Sequence, residues 1–165
     1  MSFRSVNEIE QFSFRDCVIR RFETTESGLR LELCALIVEP GNSQNTNYTR
    51  SYAGDTVLTL KNACIEKGIR EGFRYYSADN VLLSETPDEE LSPAAISALL
   101  PVFENAYLYD IRLLPSSQDG YVCVFGIEMP DDPEEPAGVT DTYQLRISFA
   151  EAIFTWEQYL NRVGS

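Results

Sequence analysis

The longest uncharged apolar runs in this sequence are Leu33–Val38 and Tyr121–Ile127, six and seven residues. Runs of that length suit buried strands and fall far short of the roughly 18 residues that a membrane helix needs. Between Leu29 and Val38, Arg30, Glu32 and Cys34 alternate with Leu31, Leu33 and Ala35, the period-two pattern of a half-buried strand. Residues 14–22 and 29–38 therefore read as a β-hairpin about Thr24–Gly28, with the glycine free to supply positive φ. A polar loop over Pro40–Asn47 follows, and Asp55–Leu60 reads as the next strand. Phe73–Ser77 and Val81–Ser84 read as a shorter hairpin about Ala78-Asp79-Asn80. A chain of 165 residues is normally one domain.

The period then changes. Thr86-Pro87-Asp88-Glu89 carries an N-cap, a proline at the first helical position and a capping-box glutamate, and Ser92-Pro93 repeats the start. Ile96, Leu99, Leu100 and Phe103 make one helical stripe, with Pro101 expected to bend it. At the C-terminus, Ser148-Phe149-Ala150-Glu151 reads as a second capping box. Phe149, Ile153, Trp156, Leu160 and Val163 follow at spacings of four, three, four and three.

Between the helices, Asn105–Leu114 and Tyr121–Met129 flank a turn ending in Asp119-Gly120, and Asp141–Ser148 reads as a further strand. This strand–turn–strand–loop–strand order also occurs in the first half, which suggests a pseudo-repeat of 12–65 by 105–150. Ile19-Arg20 would match Ile111-Arg112, Gly28 would match Gly120, and Asp55-Thr56 would match Asp141-Thr142. The fold expected is a single α+β domain. It has a mostly antiparallel sheet or sandwich of about seven or eight strands, one or two central helices, and a C-terminal helix packed on it.

The absence of histidine removes Ser-His-Asp and Cys-His catalysis, H-E-x-x-H zinc hydrolysis and imidazole proton shuttling. Neither a P-loop nor a G-x-G-x-x-G turn occurs, and there are two lysines, Lys61 and Lys67. Cys17, Cys34, Cys64 and Cys123 lie 17, 30 and 59 positions apart, and read as free thiols filling a core rather than a disulfide framework or zinc site. Prolines 130, 133 and 136 break the ligand spacing that Asp131–Glu135 would need to hold calcium as an EF-hand does. The expectation is no catalytic residues, no metal and no cofactor. With no apolar leader in MSFRSVNEIEQF, the location expected is cytoplasmic.

Phe14-x-Asp16-Cys17-x-Ile19, then a long second strand and an Asn-rich loop, resembles the opening of several small bacterial β-rich families, some of them similar to immunity proteins of toxin systems. The likeness spans roughly the first 65 residues. It implies a β-rich fold without enzyme activity, and carries over no functional residues.

The net charge of −13 works against nucleic-acid binding and favours a protein partner with a basic surface. Residues 1–74 hold ten basic and ten acidic side chains, whereas residues 75–165 hold three basic and sixteen acidic, so the whole excess lies in the second half. The candidate partner-binding residues are Glu85, Asp88, Glu89 and Glu90 in one segment and Glu128, Asp131, Asp132, Glu134 and Glu135 in another, with Trp156 on the C-terminal stripe. The leading expectation is a non-enzymatic interaction module, of the immunity type or otherwise. The alternatives are a subunit that assembles, as a homo-oligomer included, through the C-terminal helix, and a carboxylate-based enzyme or small-ligand binder.

Overall fold

The computed structural model describes residues 2–116, 119–130 and 141–163. In the first third lie β1 (Phe3–Val6), β2 (Phe12–Ser13), β3 (Val18–Thr25), β4 (Gly28–Cys34), β5 (Ile37–Val38) and β6 (Ser51–Ala53). The middle holds β7 (Thr56–Lys61), β8 (Cys64–Arg70), β9 (Phe73–Tyr76), β10 (Leu82–Thr86), β11 (Glu89–Leu91) and the helix α1 (Pro93–Leu99). The last third holds β12 (Tyr107–Leu114), β13 (Tyr121–Glu128), β14 (Thr142–Phe149), β15 (Glu151–Trp156) and β16 (Tyr159–Arg162).

Ten of these strands form one antiparallel sheet in the order β1-β15-β7-β4-β3-β12-β13-β14-β8-β11. Its inward face is set by alternation: Leu29, Leu31 and Leu33 on β4 and Leu58 and Leu60 on β7 are buried, as are Phe125 and Ile127 on β13 and Leu145 and Ile147 on β14. A second sheet, β16-β6-β5-β2, lies against the first half of this face, where Phe12 stacks on Phe154 with ring centroids 4.1 Å apart. Over the other half sit α1 and the 3-10 turn Pro101–Phe103, burying Ile96, Leu100 and Phe103. All of this belongs to one continuous hydrophobic core.

The first hairpin closes more tightly than expected, β3 and β4 meeting at Thr25 and Gly28. Gly28 is required there: its φ is +146°, and a Cβ would stand 2.0 Å from the Leu60 carbonyl oxygen.

Three expectations are corrected. The fold is mostly β, with sixteen strands rather than seven or eight and one short helix among the described residues, so it is not α+β. Thr86-Pro87-Asp88-Glu89 starts no helix: Thr86 ends β10 and Glu89 begins β11. The helix begins at Ser92, whose hydroxyl accepts from the Ala95 N–H at 3.1 Å, and it passes into 3-10 geometry at Pro101. The expected C-terminal helix is also absent, because β15 and β16 occupy its place. The segment Ala152–Trp156 fits a helical stripe through Ile153 and Trp156, but it fits period two equally through Ala152, Phe154 and Trp156. Pairing decides between them. Glu151–Trp156 has β7 on one side and β1 on the other, which satisfies its backbone and buries Phe154 and Trp156 together.

The strand assignment makes a prediction that a helical stripe does not. Truncating Phe154 or Trp156 to alanine is expected to cost about 3–5 kcal/mol in urea unfolding. Leu160→Ala, at a position 57% exposed, should change stability by less than about 0.5 kcal/mol.

Candidate docking surface

The strands β9 and β10 pair only with each other, and every residue in both is exposed. Phe73, Tyr75, Tyr76, Val81, Leu82 and Leu83 are 39–67% exposed, an apolar display on an element that contributes nothing to the core. Phe73 and Tyr75 meet edge to face at 5.3 Å on one side of the hairpin. On the other, Tyr76 stands opposite Leu82, and the Arg74 guanidinium pairs with Glu85 at 2.9 Å. A register shift between Leu82 and Ser84 leaves Leu83 as the bulged and most exposed of the six.

An isolated two-stranded hairpin is marginal in water, so its ends must hold it. At the tip, Asn80 takes φ +61° and its N–H bonds the Ser77 carbonyl at 3.0 Å, while the Ser77 N–H bonds the Val81 carbonyl at 2.8 Å. At the base, the Gly72 N–H donates to Asp88 at 2.7 Å. A Cβ on Gly72 would lie 1.9 Å from the Thr86 carbonyl oxygen, so only glycine lets the two chain segments come this close.

The large sheet brings Glu128 and Glu89, one residue from each acidic segment of the sequence, to the same end of its strands. Glu128 on β13 is opposite Thr142 on β14, whose neighbour Tyr143 pairs with Arg70 on β8, and Arg70 pairs with Glu89 on β11. Three strand spacings, roughly 14 Å, thus separate positions that lie far apart in sequence. Around Tyr109 on the outer face, burial first and then the charges of Glu71, Asp110 and Glu128 push the phenol above its ordinary pKa. Tyr109 itself lies over Gly126, where a Cβ would stand 2.5 Å from its ring.

The sequence candidates divide accordingly. Glu85, Asp88, Glu89 and Glu90 flank the hairpin or its base, and three of them already hold partners: Arg74, the Gly72 N–H and Arg70 respectively. Glu128 is exposed at the same end of the sheet. Asp131, Asp132, Glu134 and Glu135 lie outside the described residues. Trp156 is 1% exposed, stacked on Phe3 at 5.6 Å and edge-on to Phe12 at 5.9 Å, so it is a core residue and not a docking stripe. What the sequence reading missed was the exposure of both faces of β9 and β10. The signal was present, since Phe73, Tyr75, Tyr76, Leu82 and Leu83 put large apolar side chains on both faces of one short hairpin.

The other polar groupings serve the fold. The Asn45 amide donates to the carbonyls of Val38, Glu39 and Thr49, and the Asn42 amide to Ser5 Oγ, so these amides of the loop are spent internally. Glu8 accepts from the Ser43 N–H at 2.9 Å, the Ser43 hydroxyl at 2.6 Å and the Ser5 hydroxyl at 2.8 Å. Burial alone would push the Glu8 carboxyl up, but these bonds together outweigh it and hold it below its ordinary value. Of the thiols, Cys17 and Cys123 are buried, Cys34 is half-buried and Cys64 is exposed, so two of the four do not fill the core. Burial pushes the Cys123 thiol up to about 12, and burial with the neighbouring Cys34 raises Cys17 further. Among the described residues no group of three or more Cys, Asp or Glu side chains is placed to hold a metal, and no helix is long and apolar enough to cross a membrane.

Comparison with protein-family models, with curated proteins and with solved structures finds no match for this chain.

Two outcomes are expected. Tyr76→Ser and Leu83→Ser should each alter unfolding free energy by less than about 0.5 kcal/mol, because neither side chain is packed. Glu8→Gln should cost about 1 kcal/mol at neutral pH. A depressed carboxyl contributes stability above its unfolded pKa and loses it as pH falls through its lower folded value. The penalty of the substitution should therefore vanish in acid, as read by urea melts across pH.

Proposed function

We propose that this chain is a non-enzymatic protein-binding module that docks a partner with a basic surface, using the hairpin β9–β10 as its anchor. The observation that carries the reading is the hairpin itself: six large apolar side chains held out from the core on a tip and base that are both fixed. Tyrosine and phenylalanine are enriched at the buried centre of protein interfaces, and Phe73, Tyr75 and Tyr76 supply them here. The surrounding carboxylates, Glu90 and Glu128 among them, supply a rim that steers a cationic partner into place. Arg74 and Arg70 are engaged with Glu85 and Glu89, which leaves the field at this end negative. The resemblance of roughly the first 65 residues to small bacterial β-rich families, some of them similar to immunity proteins, is consistent with inhibition of a basic toxin as one form of this function. Glu8 and Asp16 have pKa values shifted downward, opposite to what a general acid needs. The alternative of assembly through a C-terminal helix loses that helix, since the segment is strand and Trp156 is interior.

The test is capture by the full chain from its source cells at about 50 mM and about 0.5 M salt, followed by titration of the recovered partner. A partner with a basic surface should bind at low salt and be released at high salt. Tyr76→Ser with Leu83→Ser should weaken it about tenfold or more. Neutralising Glu89, Glu90 and Glu128 should slow association, while neutralising Glu23, Glu26 and Glu32 should not. Binding that ignores both salt and the hairpin substitutions would overturn the proposal, as would a chain that uses the hairpin only to pair with itself.

A further inference from the structure

The strand order of the large sheet reads the same from either end once each strand is labelled by its place in its own half of the chain. At the centre, Val18 on β3 pairs with Tyr107 on β12. Hydrogen bonds flank this pair alike, from the Ile19 N–H to the Ala106 carbonyl at 2.8 Å and from the Leu108 N–H to the Cys17 carbonyl at 3.1 Å. A twofold axis through the pair carries Ile19 to Leu108 and Phe22 to Ile111. It also carries the register shift at Arg20 onto the register shift at Tyr109.

The register keeps this symmetry out to both edges. Phe22 pairs with Leu31, Leu31 with Leu58, Leu58 with Phe154 and Phe154 with Ser5. On the other side Ile111 pairs with Phe125, Phe125 with Leu145, Leu145 with Gly68 and Gly68 with Leu91. In each row the fourth residue comes from the opposite half of the chain. The last strand that the first half gives to the large sheet, β8, lies between β14 and β11, and the last that the second half gives to it, β15, lies between β7 and β1. The halves differ where their coverings differ: Phe154 stacks on Phe12, whereas a Cβ on Gly68 would stand 2.9 Å from Ile96 of α1. β8 also carries one bulge, at Glu66, that β15 lacks.

We propose that the chain is a tandem fusion of two copies of one five-strand module, each supplying the strand that completes the other's sheet. The two halves are then an obligate binding pair. The hairpin between them, residues 71–88, is a linker outside the pair, which frees it for docking. Neither β1 nor β8 has a ladder partner within its own half, so a half alone leaves these backbones unpaired. The residue matches that suggest a repeat by letter are out of register: Gly28 is equivalent to Val122 rather than Gly120, and Thr56 to Tyr143 rather than Thr142. Register and bulges carry the duplication, not identities.

The test is a protease site placed in the turn Ser77–Asn80 of the full chain and cut after folding. The two fragments should co-elute at the mass of the intact chain with unchanged far-UV signal. The thermal midpoint of the cut protein should fall over about a hundredfold dilution, while that of the uncut chain stays constant. Separation into a folded fragment and a remainder without denaturant would overturn the proposal, and so would a midpoint of the cut protein that ignores concentration. Hydrogen exchange on the uncut chain gives a second readout: β8 amides should lose protection with β14, and β15 amides with β7. Loss of β8 with β7 while β14 stays protected would also overturn it.

Discussion

The insertion of β15 between β7 and β1 is the interaction on which most of this structure depends. It pairs the last third of the chain with one strand from its beginning and one from its middle, and it seats Phe154 and Trp156 against Phe12 and Phe3. Without it β1 has no neighbour in the large sheet, and the smaller sheet loses the aromatic surface it packs on. The reciprocal insertion of β8 beside β14 does the same at the other end, and there it carries Arg70 and Glu89 into line with Glu128. Long-range pairing therefore fixes both the core and the position of the charges.

That pairing also separates structural polarity from polarity free to meet a partner. The amides of Asn42 and Asn45 are turned inward onto backbone carbonyls and Ser5, closing a loop that otherwise has no regular structure. The hairpin β9–β10 is the opposite case. It satisfies its own backbone, is anchored by Gly72 and Asp88, and leaves its side chains outside. An apolar element there takes nothing from the core, and Glu85, Asp88, Glu89 and Glu90 lie on it or at its base.

Some of this was legible in the residues. Alternation in Leu29–Cys34 and the glycine at 28 gave the first hairpin, and Ser92-Pro93 gave the start of the only helix described. The charge split placed the acidic excess in the second half of the chain. The C-terminal region misled because Phe149, Ile153 and Trp156 satisfy a 3.6-residue period as well as Phe154 and Trp156 satisfy a period of two. Local capping signals cannot report that a strand partner is waiting on each side. Thr86–Glu89 misled for a similar reason: Thr86 closes the hairpin opposite Phe73, Asp88 accepts from the Gly72 N–H, and Glu89 pairs with Arg70 across the sheet, so none of them caps a helix.

By itself, the sequence determined which segments are apolar, where the first hairpin turns, that imidazole chemistry is absent, and that the acidic excess lies in the second half. These follow from composition and from contacts between residues close along the chain. Only the tertiary structure decided that Trp156 is interior, that Glu89 and Glu128 share one end of a sheet, and that each half of the chain completes the other. Those outcomes rest on backbone hydrogen bonds between segments up to about 150 residues apart, as from Phe3 to Trp156, and no local period or cap encodes such a partner.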